Sequence, residues 1–168
     1  RDLGAVVLEV GDRVVLRTEM TEILSLQRDK SLRRVDQVSA VETVTPSIPS
    51  TVEAAALCKM AERGQITGGI LDGPLAFDNA VSKAAAAAKD IHSEVAGDAD
   101  ILIVPDLEAG NMIAKQLIYL AGADAAGIVL GARIPIVLTS RADGVLSRLA
   151  SAAIAQLFVH ARTASFRI

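Results

Sequence analysis

At 168 residues, with a formal net charge of −3 and a sequence pI near 5.4, the chain is long enough for one domain with a sizeable core or for half of a two-domain protein, and it carries no electrostatic footprint for nucleic acid. Hydrophobic residues make up 51% and aromatic ones only 2%, so the core must be built from Ala, Val, Ile and Leu, as in helix-covered parallel sheets. Apolar runs fall far short of the roughly 20 residues of a membrane-spanning helix, and the first residues lack a signal-peptide pattern.

The first 38 residues differ from the rest. Ala5 to Val10 and Arg13 to Arg17 flank Gly11-Asp12 and read as a β-hairpin. Gln27 to Asp36, with Arg28, Lys30, Arg33 and Arg34 against Asp29 and Asp36, reads as a solvated loop or short helix whose arginines could meet a phosphate. Val38 to Val44 is expected to be a strand, and Pro46 and Pro49 hold an extended connection. Ser50 or Thr51 with Glu53 can cap a helix to about Arg63, closed by Gly64. Cys58, the single cysteine, cannot pair internally and has no ligand-spaced Cys or His beside it. A reducing, cytoplasmic location and a buried helical position follow for it, and no zinc site is expected.

Gly68 to Leu71 is the next strand, with Asp72-Gly73-Pro74 as the turn that ends it. The alanine run within Ser82 to Lys89 is a helix, and His92 just beyond it reads as a cap or surface residue. Ile101 to Val104 suits a strand buried on both faces. Pro105, Asp106, Gly110 and Asn111 punctuate a turn, and Met112 to Leu120 follows with helical spacing. Ala125 to Leu130 and Ile134 to Thr139 are strands, the first expected in the same parallel sheet as 101–104. A last helix from about Asp143 carries a stripe through Leu146, Leu149, Ala150, Ala153, Ile154, Leu157, Phe158 and Ala161 that should be buried on the sheet or on a partner.

Two strand-to-helix junctions hold the polar residues. Asp72, Asp78, Asp106, Asn111, Ser140, Arg141 and Asp143 are expected on loops at the carboxyl ends of strands, where open α/β sheets bind ligands and a helix N-terminus suits an anion. If those strands are neighbours, the residues share one crevice. Arginine supplies a forked donor for phosphate or carboxylate, serine a hydroxyl for a developing anion, aspartate a proton acceptor. A solvated rim has the same composition. No zinc motif, Walker loop or dinucleotide fingerprint is present.

The segments AVETVTPSIPST, GGILDGPLAFDNA, ADILIVPDLEAGNMIAKQL and AAGIVLGARIPIVLTSRAD occur in order between about Ser39 and Arg162. In them the chain resembles the carboxyl-terminal part of phosphate acetyl/butyryl transferases. The resemblance implies an isocitrate/isopropylmalate dehydrogenase-like α/β fold, a mostly parallel sheet flanked by helices, incomplete relative to a family whose members are about twice this length. It divides the chain into an unassigned segment, 1–38, and an acyltransferase-like domain, 39–168. The implied reaction converts acyl-CoA and phosphate to acyl phosphate and CoA, with no tightly bound cofactor and no metal. Ser140 and Arg141 match the family's Ser-Arg pair, the Ser aiding the CoA sulfur and the Arg holding the phosphoryl group. Asp72-Gly73 and Asp106 with Gly110-Asn111 match segments lining the substrate cleft. The family's general-base aspartate falls near Ser147 here, and Asp143 is the nearest carboxylate. The expected partners are acyl-CoA, phosphate, acyl phosphate and further copies of the chain, as a homodimer or higher homo-oligomer. A non-catalytic assembly domain using the last helix is the alternative. A metal-dependent hydroxyacid dehydrogenase is weaker, because no dense carboxylate cluster stands out.

Overall fold

The structure, a computed structural model, describes residues 7–10, 13–16, 33–129, 132 and 134–165. The basic residues Arg28 and Lys30, and the junction residues Leu130, Gly131 and Arg133, lie outside the described set.

Among the described residues, five strands form one sheet in the order β1-β2-β5-β3-β4. The expected hairpin is there: β1 (Val7–Val10) pairs antiparallel with β2 (Arg13–Leu16), Val10 opposite Arg13. β5 (Ile101–Ile103) lies parallel to both β2 and β3 (Arg33–Ser39), and β3 lies parallel to the edge strand β4 (Gly69–Ala76). Ile101 and Ile103 join one apolar cluster with Val35, Ile66, Ile128 and Phe158. Leu102 and Val104 join another with Val38, Leu75, Ala80 and Val95. This period-two split is what a strand covered on both faces requires, and it explains the unbroken ILIV run.

Helices flank the sheet. α1 (Pro49–Glu62) begins at proline, whose fixed φ suits a first helical position. The expected Ser50/Thr51 cap is displaced: Thr51 lies in the first turn, where its hydroxyl donates to Ile48 O at 2.8 Å and accepts from Thr45 N at 2.9 Å. Gly64, at φ +71°, follows the end of α1 as expected. The alanine run forms α3 (Lys83–Ala88), separated from α2 (Phe77–Val81) by Ser82, whose Oγ accepts from Ala85 N. α4 (Leu107–Ala121) and α5 (Val145–Ser165) follow.

Four local expectations are corrected. β3 starts at Arg33, not Val38, because Arg34 is anchored rather than solvated: its guanidinium grips Asp100 at 2.9 and 3.1 Å and also pairs with Asp98, leaving no fork for a phosphate. β3 thus spans the change of composition near residue 38. β4 does not end at Asp72 but runs on to Ala76. Asp72 stands opposite Asp36 and Leu75 opposite Val38, so Gly73 and Pro74 bulge across from Gln37, as an edge strand tolerates. A side chain on Gly73 would approach Gln37 Cβ to 2.9 Å, which leaves room for glycine only.

The region 125–130 does not enter the parallel sheet. β6 (Ile128–Val129) pairs antiparallel with β7 (Ile136–Val137) as a separate two-stranded sheet, because the nearest partner is local and the 101–104 strand already has β2 and β3 beside it. Finally, of the expected stripe α5 buries Phe158 and half-buries Ile154, together with Ser151 and Ala155, while Leu149 and Leu157 stay 63% and 64% exposed and Ala153 is exposed too. Ser151 selects that face: its buried hydroxyl accepts from Gly127 N at 2.9 Å and donates to Ser147 O at 2.7 Å, tying the helix to the start of β6.

Candidate functional site

The chain leaves β3 toward β4 on one side through α1, then crosses back to place β5 on the other side of β3. The carboxyl ends of β3 and β5 are therefore where the strand order reverses, the place at which open α/β sheets leave a crevice. A crevice of ≈ 600 Å3 lies there. Ser39 and Ala40 come from the end of β3, Ser50 and Glu53 from the start of α1, Phe77 from the end of β4, and Asp106 and Ile113 from the start of α4.

Of the residues singled out from the sequence, Asp106 lines this crevice. Its carboxylate accepts from Ala109 N at 2.7 Å, so it caps the helix that follows and occupies the donor an anion would use. Gly110 and Asn111 are not in the approaching turn but inside α4; Gly110 packs against Val104, whose Cγ2 would lie 2.8 Å from an added Cβ. Asp72 and Gly73 sit mid-strand in β4, and Asp72 Oδ1 accepts from Gly73 N at 2.8 Å. Asp78, on α2, reaches Lys89 Nζ at 3.5 Å, and Lys89 also holds Glu42 at 3.2 Å.

Ser140, Arg141 and Asp143 form a turn between β7 and α5. Asp143 Oδ2 accepts from Ser140 N at 2.6 Å, and Ser140 O accepts from Asp143 N at 3.1 Å. Arg141 is exposed, and among the described residues no carboxylate pairs with it. None of the three is among the described residues lining the β3–β5 crevice. The structure therefore brings Asp106 to one site and the Ser-Arg-Asp turn to another, between the second sheet and α5.

Sequence reasoning missed that Asp36, Asp72 and Cys58 come together, because Asp36 is expected in a solvated segment and the pairing of β3 with β4 is not foreseen. Asp36, in β3, is fully buried in register with Asp72, and among the described residues neither of its carboxyl oxygens has a hydrogen-bond partner. Burial, and next the Asp72 carboxylate, push its pKa up to about 8. Cys58 lies in α1 as expected but is half-buried rather than buried, and it donates to Gly73 O at 3.5 Å. Burial first, then Asp72 and Asp36, push it up to about 11, so it stays a thiol and is no nucleophile at neutral pH. His92, as expected, is a surface residue, 3.0 Å from Asp90. Among the described residues no group of three or more His, Cys, Asp or Glu is arranged to hold a metal ion, and no helix is long and apolar enough to cross a membrane.

Comparison with known proteins gives these positions a context. Residues 24–156 match the family Phosphate acetyl/butaryl transferase. The chain is 70% identical over 132 residues, 79% of its length, to the phosphate acetyltransferase of Rhizobium meliloti, and covers 42% of that protein. It is 58% identical over 118 residues, 70% of its length, to the probable phosphate butyryltransferase of Bacillus subtilis, and covers 40% of it. The chain thus spans about two fifths of the length of these curated relatives. Among solved structures, a branched-chain phosphotransacylase from Enterococcus faecalis V583 superposes with a TM-score of 0.77 at 26% identity, over 94% of this chain and 63% of that one.

Proposed function

The chain belongs to the phosphate acetyl/butyryl transferase family, and we propose that it carries the carboxyl-terminal part of a phosphate acyltransferase of acetyl or butyryl type, on an isocitrate/isopropylmalate dehydrogenase-like fold. The family match across both strand-to-helix junctions, from Ala40 to Asp143, is the observation that supports this reading most.

A phosphate oxygen attacks the thioester carbonyl carbon, a C–O bond forms, the C–S bond breaks, and CoA leaves as the thiolate, which takes up the proton given up by phosphate. Among the described residues no carboxylate pairs with Arg141, and its fork can take two phosphate oxygens. Ser140, whose backbone N–H is held by Asp143, is positioned to stabilise the departing sulfur through its hydroxyl. Asp143 is the carboxylate at hand as base, although the bond it accepts from Ser140 N also gives it the role of fixing that turn. CoA and phosphate serve as substrates, and we infer no resident cofactor. The reading extends to a cytoplasmic homodimer or higher homo-oligomer, with Asp72, Gly73, Asp106, Gly110 and Asn111 on the substrate side.

The test is release of CoA thiol from acetyl-CoA and butyryl-CoA with and without phosphate, with acyl phosphate measured in parallel. Equimolar thiol and acyl phosphate are expected; thiol release indifferent to phosphate would mean hydrolysis and a different enzyme. A second reading, a non-catalytic assembly domain, is favoured by the exposed ridge Leu146, Leu149 and Leu157 on α5. A folded chain that associates through this ridge and releases no thiol under any condition would support it.

A further inference from the structure

The Ser140-Arg141 turn is held in place by hydrogen bonds rather than by packing. From Ile134 through Ala150 none of the described residues is buried: the strand that enters the turn and the first turns of α5 beyond it are exposed or half-buried. Side chains on such a segment are placed only as well as its polar anchors hold it. Ser151 is the first buried residue after the turn, and it is fully buried.

Within the turn, Ser140 and Asp143 bond each other, which fixes its local shape but not its place on the protein. That place is set at Gly127, the buried residue before β6. Its N–H donates to Ser151 Oγ at 2.9 Å, and its carbonyl accepts from Leu138 N at 3.1 Å. Leu138 stands two residues before Ser140, and Ser151 lies one helical turn beyond Ser147. One residue therefore grips both arms of the turn, the strand running into Ser140 and the helix running on from it. The Leu138 bond is backbone to backbone and any sequence can make it, whereas the bond to α5 depends on one side chain. Ser151 commits its O–H to Ser147 O at 2.7 Å, which leaves a lone pair for Gly127. Alanine at this position would strand the Gly127 N–H in a buried place, and α5 would have to shift or admit water.

We propose that Ser151 is a positioning residue for the reaction at the Ser140-Arg141 turn: through Gly127 it sets where α5 starts relative to the end of β7, and with that the placement of the Arg141 fork and the Ser140 hydroxyl. Misplacing a reacting group by about 1 Å costs on the order of a hundredfold in rate, so a partial release of the turn is measurable. The proposal rests on the phosphate acyltransferase reading for what the turn does; the hold of Ser151 on the turn stands on the hydrogen bonds alone.

The test compares the full chain with Ser151→Ala, Ser151→Thr and Phe158→Ala. Threonine keeps a hydroxyl that can bond the carbonyl one turn back. Phe158→Ala, on the same buried face about two turns further along, weakens the helix without removing the bond to Gly127. Amide hydrogen exchange at Ser140 and Asp143, read against the Asp100 amide of the main sheet, should quicken about tenfold in Ser151→Ala and stay within about threefold of the parent in the other two. In phosphate-dependent thiol release, kcat/KM for phosphate should fall about tenfold in Ser151→Ala and return to within about threefold in Ser151→Thr. The same loss should be smaller when Arg141 is already alanine, because a residue that acts through Arg141 then has less to place, whereas a loss of stability alone adds in full. Where Ser151→Ala folds poorly, Ser151→Cys, with its weakly accepting sulfur, takes its place with about threefold effects. Turn amides that quicken no more than Asp100, or a loss in kcat/KM that Phe158→Ala reproduces or that adds in full to Arg141→Ala, would overturn the proposal. Failure of the acyltransferase reading looks different: no chain releases thiol, while exchange at Ser140 and Asp143 still follows Ser151. Phosphate-dependent release with turn exchange and rates indifferent to Ser151 leaves the enzyme standing and removes this role.

Discussion

The β3–β4–β5 unit and the β6–β7–α5 region are comparably apolar in sequence and behave differently in the fold. In the first, Val35, Ile101, Leu102 and Ile103 are all at most 6% exposed, because helices lie on both faces of the strands. In the second, Ile136 and Val137 are 45% and 42% exposed, and α5 is apolar on two faces but buries one. Hydrophobicity fixes which residues can be buried; which are buried depends on what other surface reaches them. On α5 a polar contact decides, since the Ser151 hydroxyl is tied to Gly127 and turns Ala155 and Phe158 inward.

The comparison breaks most readily at the centre of the sheet. Val35→Asp puts an unpaired charge at a site 2% exposed and should cost about 4 kcal/mol or more, leaving the chain unfolded at room temperature by circular dichroism. Phe158→Ala, on the buried face of α5, should cost about 3 kcal/mol in denaturant unfolding through the cavity it leaves.

A pH profile probes the first region next. Asp36 is raised to about 8 in the folded protein, above the ordinary carboxylate value. Its contribution to stability is therefore present at acid pH and lost as pH rises from about 4 to about 8, by up to about 1.4 kcal/mol for each pH unit of that window. Asp98 and Asp100 run the opposite way: hydrogen bonds from Lys83 and Arg34 respectively lower them, so their contribution is lost as pH falls through the acid range. Thermal stability should peak on the acid side of neutrality, and Asp36→Asn should flatten the decline toward pH 8 while leaving the acid limb in place. The smallest effect belongs to Leu149→Asp. Sequence periodicity makes it severe; its 63% exposure makes it worth less than about 1 kcal/mol in the same unfolding experiment, and a larger loss would mean that the ridge is covered.

These contrasts also show what was legible in the residues. The antiparallel pairing of 7–10 with 13–16, the β5 strand, the proline-opened and glycine-closed α1, and the alanine helix all follow from local chemistry, and the structure contains each. The start of β3 was hidden because Arg33 and Arg34 look solvated, and only the distant Asp98 and Asp100 make Arg34 a strand residue. The course of β4 through Asp72-Gly73-Pro74 depends on a bulge against Gln37, which no turn rule anticipates. The burial face of α5 depends on Ser151, a residue that an apolar stripe passes over. At the site, Asp106 was readable as a residue at a strand end. Ser39, Ser50, Phe77 and Ile113 were not, since their convergence comes from the strand order reversing between β3 and β5. A serine closing one strand and an aromatic following the next were the signals available.

The most direct test of the central claim is phosphate-dependent thiol release by the chain and by three variants at the Ser140-Arg141 turn. Arg141→Ala should raise the phosphate concentration needed for half-maximal rate, Arg141→Lys should restore part of it because a point charge cannot reproduce two parallel bonds, and Ser140→Ala should lower turnover more than phosphate affinity. Phosphate-dependent release that none of these substitutions reduces would contradict the assignment of the reaction to this turn.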